Sequence, residues 1–144
     1  MKPNIFMQEA LNQAKIAFAK DEVPVGAVIV CDGEIITKSF NHNISLNDPC
    51  AHAEILALKQ AAEIKNSPRL DDCDLYVTLE PCMMCLGAIS WARIKNLYFG
   101  AFDEKFGAIS NGFIFKNYHK PEIYCGINEE EAKKLIQDFF RTKR

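Results

Sequence analysis

The sequence predicts an α/β fold, a three-layer α/β/α sandwich around a five-stranded mixed sheet, in one domain over residues 1–144. Three observations predict it. Two β-branched apolar runs are joined by Asp32-Gly33, a hairpin turn that makes the first two strands antiparallel. Strand-like and helix-like segments then alternate, which calls for parallel strands covered by helices. Apolar residues at helical spacing open and close the chain.

The elements follow in order. Met7, Ala10, Leu11, Ala14, Ala17 and Phe18 share one helical face, giving a first helix that ends near Lys20. Val25 to Cys31 and Glu34 to Phe40 are the hairpin strands. Asp48-Pro49 is expected to open a second helix that runs through Ala61-Ala62 and stops before Pro68. Leu75 to Leu79 is a third strand, Pro81 starts a third helix reaching about Trp91, and Asn96 to Gly100 is a fourth strand. After a glycine-containing segment, Glu122 to Cys125 is the fifth strand. Asn128 with Glu131 resembles a capping box, and Ala132, Leu135, Ile136, Phe139 and Phe140 give the last helix one apolar stripe.

Composition narrows the class. Hydrophobic residues make up 49% of 144 and charged residues 25%, which excludes a disordered chain and allows a core without disulfide staples. No apolar run approaches the roughly 20 residues of a membrane span, and no signal-peptide cleavage site follows the N-terminus, so the expectation is cytoplasmic. In that setting Cys31, Cys73 and Cys125 are expected to be small buried hydrophobes. The net charge of −2 hides an asymmetry: residues 1–92 carry 7 basic against 12 acidic side chains, and residues 93–144 carry 10 against 7. The basic C-terminal portion is either a phosphate-facing patch or a solvated surface.

His52-Ala53-Glu54 and Pro81-Cys82-Met83-Met84-Cys85 carry the chemistry. Each falls at the start of a predicted helix. Helix dipoles there favour thiolates, and Cys82 and Cys85 are spaced to face the same way. In an α/β sheet such helix starts gather beyond the carboxyl ends of the strands, so His52 can meet the two cysteines. One imidazole and two thiolates suit zinc with its fourth position open. Glu54, two residues from His52, leans over that position without ligating, which reads as hydrolytic chemistry. A redox pair and a structural zinc site closed by Cys50 remain as alternatives.

These residues resemble the zinc-dependent base deaminases, and in particular the bacterial tRNA-specific adenosine deaminases of the cytidine/deoxycytidylate deaminase superfamily. The resemblance extends over Glu22 to Val28, Asn41 before Asp48-Pro49, Leu79-Glu80-Pro81, Ala92-Arg93-Ile94, Phe99-Gly100-Ala101, Asp103 to Ala108, and Asp138 to Arg141. It implies the cytidine-deaminase-like fold, one zinc per chain on His52, Cys82 and Cys85, and Glu54 as proton shuttle. It further implies substrate contacts from Asn41, Ala53, Leu79, Asp103, Lys105 and Arg141, a homodimer, and a tRNA anticodon stem-loop, that of an arginine tRNA, whose wobble adenosine becomes inosine. The segment around Trp91-Ala92-Arg93 also resembles guanine deaminases. Three functions therefore stand side by side: tRNA adenosine deaminase, deaminase of a free base or nucleotide, and non-catalytic zinc module binding RNA. Cys50 departs from the hydroxyl residue usual at its position in the family, and residues 109–121 diverge.

Overall fold

The computed structural model describes residues 3–143, and its elements run in the expected order. They are α1 (Pro3–Ala19), β1 (Gly26–Cys31), β2 (Glu34–Phe40), α2 (Ala53–Lys65), β3 (Cys73–Leu79), α3 (Met83–Ala92), β4 (Asn96–Ala101), β5 (Glu122–Tyr124) and α4 (Glu129–Arg141). Asp32 and Gly33 both take positive φ, 52° and 78°, the requirement of a tight I′-type turn that matches strand twist. The sheet order is β2-β1-β3-β4-β5. β1 is antiparallel to both neighbours, while β3, β4 and β5 are mutually parallel. Four strands thus run one way and β1 alone runs the other.

All six residues of β1 are buried, as a strand covered on both faces requires. Ala27, Ile29 and Cys31 join Ala57, Ala61, Leu86 and Ile89 in a core beneath α2 and α3. Val28 and Val30 point the opposite way, to Met7, Ala10, Leu11 and Ala132 of α1 and α4. This is the three-layer sandwich with its mixed five-stranded sheet. Gly26 allows α1 to lie directly on β1: a Cβ there would come within 1.9 Å of the Ala10 carbonyl oxygen. Tyr76, Tyr98 and Tyr124 are register partners across β3, β4 and β5, and their rings stack at 4.3 and 4.8 Å, tying the short edge strand to the sheet.

Several expectations need correction. The second helix begins at Ala53, because Asp48 Oδ1 accepts the Cys50 amide at 2.8 Å and holds residues 48–52 in turns. Likewise α3 begins at Met83, with Cys82 as its extended N-cap. Asn128 makes no capping hydrogen bond; at φ 55° it turns the chain left-handed into α4, a conformation asparagine tolerates. Cys31 and Cys73 are buried but joined in a disulfide, since they are directly paired across β1 and β3 with Cα atoms 4.6 Å apart. Cys125 is exposed, because β5 is an edge strand that stops one residue before it.

Candidate active site

The chain direction places the site. β2 and β3 run the same way, so α2 and α3, which follow them, start at the same end of the sheet. His52 is the N-cap of α2 and Cys82 the N-cap of α3, both with extended backbones, while Cys85 lies in the first turn of α3. The His52 Nδ1 stands 3.3 Å from Cys85 Sγ and 3.6 Å from Cys82 Sγ. Donors at zinc bond lengths in a tetrahedron are about 3.5 Å apart, so the three side chains fit that ion without rearrangement. Cys50 is exposed and outside the cluster, which leaves no fourth cysteine to close the site.

The three groups perturb one another's protonation. The hydrogen bond from the Cys85 thiol, with a further contribution from His52, pulls Cys82 down to about 4 against the cost of burial. As donor in that pair, and buried, Cys85 is pushed up. The contact with Cys82 raises His52. Beside them Glu54 is 4% exposed, and burial pushes its carboxyl up to about 7. It stands outside the cluster of His52, Cys82 and Cys85.

Above the cluster opens a cavity of about 1370 Å³, lined by His52, Glu54 and Cys82 on one side and by residues of α4 on the other. Asn41 borders it. Its Oδ1 accepts the Ala53 amide at 2.7 Å, capping α2, and among the described residues its Nδ2 has no protein partner.

A family model, that of the MafB19-like deaminases, matches residues 1–144. The tRNA-specific adenosine deaminase of Agrobacterium fabrum is 48% identical over 143 residues, covering 96% of this chain and 94% of its own. The chain belongs to the tRNA-specific adenosine deaminase family. A solved tRNA:A34 deaminase, studied for A-to-I editing at the wobble position of transfer RNA, superposes with a TM-score of 0.87 at 47% identity, covering 91% of this chain and 98% of that one. It fixes the cytidine-deaminase-like fold. A guanine deaminase from Bacillus subtilis shares 42% identity over 78% of this chain and 71% of its own, with a TM-score of 0.70.

Within this deaminase the other expected substrate residues are placed unequally. Asn41, Leu79, Asp103 and Lys105 line the cavity. Ala53 is fully buried at the start of α2, its amide already engaged by Asn41. Arg141 lies outside the cavity lining, and its guanidinium donates to Asp138 at 3.1 Å. Lys143 pairs with Asp21, while Arg144 falls outside the described residues. Exposed pairs of this kind are weak and leave the tail free to exchange partners.

Two buried carboxylates that sequence reasoning missed brace the site. Glu22 accepts the amides of Ile44 and Ser45 at 3.0 and 2.7 Å, holding the loop that leads to His52. Glu80 accepts the Asp103 amide at 3.0 Å and both the amide and hydroxyl of Ser110 at 2.7 and 2.6 Å, holding the loop opposite. Glu80 lies inside an apolar run and Glu22 directly before one, and that was the available signal: a buried carboxylate must find donors.

Glu22 carries a pH dependence. Burial alone would raise its pKa, but the Ile44 and Ser45 amides together hold it below the usual 4.5. A folded-state pKa that is depressed stabilises the fold above the unfolded value and ceases to do so as pH falls through the folded one. Glu22→Gln should therefore cost about 1–3 kcal/mol at neutral pH, with the gap to the native protein closing below about pH 4. Urea titrations at pH 7 and pH 3.5 check this, and a gap of equal size at both values would refute it.

Proposed function

We propose that this deaminase hydrolyses the wobble adenosine of a tRNA anticodon, that of an arginine tRNA, to inosine, with one zinc ion per chain. The observation that carries the reading is the position of the His52–Cys82–Cys85 cluster and Glu54 at the edge of a cavity of about 1370 Å³. Sites for small molecules are typically about 300–1,000 Å³, so this opening suits a base presented on a polymer. An anticodon loop meets that need, because its bases are unpaired and can be splayed into a pocket.

When bound by His52 Nδ1 and the two thiolates, zinc supplies the Lewis acidity that makes water a nucleophile near neutral pH. Glu54 then does the proton work. It takes a proton from the attacking water and delivers it to adenine N1, beside the carbon that is attacked. It then takes the proton of the new C6 hydroxyl and passes it to the amino nitrogen, so that the C6–N bond breaks, ammonia leaves and C6 becomes a carbonyl. The Asn41 amide donates from Nδ2 to orient the base, while its Oδ1 keeps α2 in place.

The enzyme acts in the cytoplasm, where its substrate is; no helix among the described residues is long and apolar enough to cross a membrane. It acts as a homodimer. Support for this comes from α3, whose outward stripe of Met83, Gly87 and Trp91 leaves Met83 69% and Trp91 77% exposed, with open space over Gly87. Trp91→Glu is expected to convert a dimer to a monomer in sedimentation at micromolar concentration. A native protein that sediments as a monomer, or a variant that stays dimeric, would remove α3 from the interface.

The decisive assay offers the zinc-loaded protein an anticodon stem-loop with adenosine at the wobble position, beside free adenosine, guanine, cytosine and deoxycytidylate. Inosine in the stem-loop is expected. Guanine turnover without inosine would instead place the enzyme with the Bacillus subtilis neighbour.

A further inference from the structure

We infer that Phe106 is a fixed stacking shelf for the nucleobase adjoining the target adenosine. The inference rests on the tRNA reading above and adds a substrate contact to it.

Phe106 is 64% exposed, lines the cavity, and belongs to neither hydrophobic core. An aromatic ring left in water is common on a mobile loop, yet this loop is held on every side. Asp103 Oδ1 accepts the amides of Lys105 and Phe106 at 3.2 and 3.0 Å. The Gly107 amide donates to the Asp103 carbonyl at 2.7 Å, and Asn111 Nδ2 donates to the carbonyls of Glu104 and Gly107. Glu80 anchors both ends of the segment. The backbone that carries the ring is thus set before any ligand arrives, so stacking costs little ordering entropy.

Its distance from the chemistry is also set. Gly107, the next residue, forms a β-bridge with the metal-cluster residue Cys82. Adjacent Cα atoms are about 3.8 Å apart and bridged ones about 5 Å, which puts the Phe106 backbone within roughly 10 Å of Cys82. That is the reach of a neighbouring nucleotide when its partner occupies the site beside Glu54. The Lys105 ammonium lies over one face of the Phe106 ring, 5.2 Å from its centroid, so that face is taken and the opposite face is the one left for a base.

Charge alone does not select the ligand here. The lining carries six acidic side chains, Glu22, Glu54, Glu80, Asp103, Glu104 and Glu129, against the two basic ones of Lys105 and Lys133, and Glu22, Glu80 and Asp103 are already engaged by backbone amides. A lining with this excess of acidic groups does not hold a ligand by phosphate contacts alone, so recognition falls to the ring face, and every nucleobase has a face to offer.

The test measures binding of labelled anticodon stem-loops to the zinc-loaded dimer or monomer as purified, by fluorescence anisotropy, together with kcat and KM. The RNAs are intact, abasic 5′ of the wobble position, or abasic 3′ of it. Phe106→Ala should weaken binding of the intact RNA roughly ten- to a hundredfold, and should raise KM far more than it lowers kcat. One abasic RNA should bind the native protein as weakly as the variant binds intact RNA, with no further loss on combining the two changes. Phe106→Trp should restore affinity. Salt slopes should be the same for native and Phe106→Ala proteins, since no phosphate contact is lost. Equal losses on all three RNAs, unchanged affinity, or a change in sedimentation without the coupling would overturn the inference. Inosine formation without coupling rejects the shelf and keeps the tRNA reading. Coupling in binding without inosine keeps the shelf and rejects the catalytic reading.

Discussion

Glu54→Gln is expected to retain one zinc per chain while lowering turnover on the stem-loop at least ~100-fold. The carboxamide preserves the size of the side chain, so packing at this 4% exposed position changes little. It cannot accept and release a proton, and the proposed reaction asks for that twice. Zinc retention follows from the geometry, because the cluster of close donor atoms comprises His52, Cys82 and Cys85 without Glu54. His52→Ala provides the contrast, losing metal and activity together. Metal content by atomic absorption and single-turnover inosine formation separate the two outcomes. A Glu54→Gln protein that loses zinc, or that turns over near the native rate, would show the carboxylate to be a ligand or a bystander.

What could be read directly from the sequence was local. β2 occupies Glu34–Phe40, its expected span, because Asp32-Gly33 fixes the start and Ile35-Ile36-Thr37 continues it in strand-forming residues. The approach of His52, Cys82 and Cys85 was legible because each lies in a short motif at a helix start, and the sheet carries those starts to one end. Pairings across the fold were not legible. Cys31 and Cys73 are 42 residues apart, and only the register of β1 on β3 sets them face to face. Helix starts were misjudged where a side chain rewrote the backbone, as Asp48 does by binding the Cys50 amide and delaying α2 to Ala53. That delay matters for the chemistry. It leaves His52 as a cap, projecting from the helix end toward Cys82 and Cys85 and not along the helix face.

Glu80→Ala is the second change with a large expected effect, and it acts through the loop. The native carboxylate, 2% exposed, takes three hydrogen bonds from Asp103 and Ser110. Bonds to a charged group contribute about 1.5–3 kcal/mol each, and two of the donors here are amides that cannot turn away. The variant should lose about 3 kcal/mol or more, roughly 10 °C in melting temperature. Residues 103–110 should lose more hydrogen-exchange protection than α2 and α3, since the helices are held mainly by the sheet and the loop reaches them only through Gly107 and Ala108 at Cys82 and Pro81 and through the burial of Ala108. Zinc should remain, and KM for the stem-loop should rise because Asp103 and Lys105 are no longer positioned. Gly107→Ala approaches the same contact from the other side: its Cβ would lie 2.2 Å from the Glu80 carboxyl carbon and 2.4 Å from the Asp103 carbonyl oxygen. Both variants should therefore loosen one loop and spare the metal centre. Native melting and native protection in Glu80→Ala would mean that Glu80 does not anchor the loop.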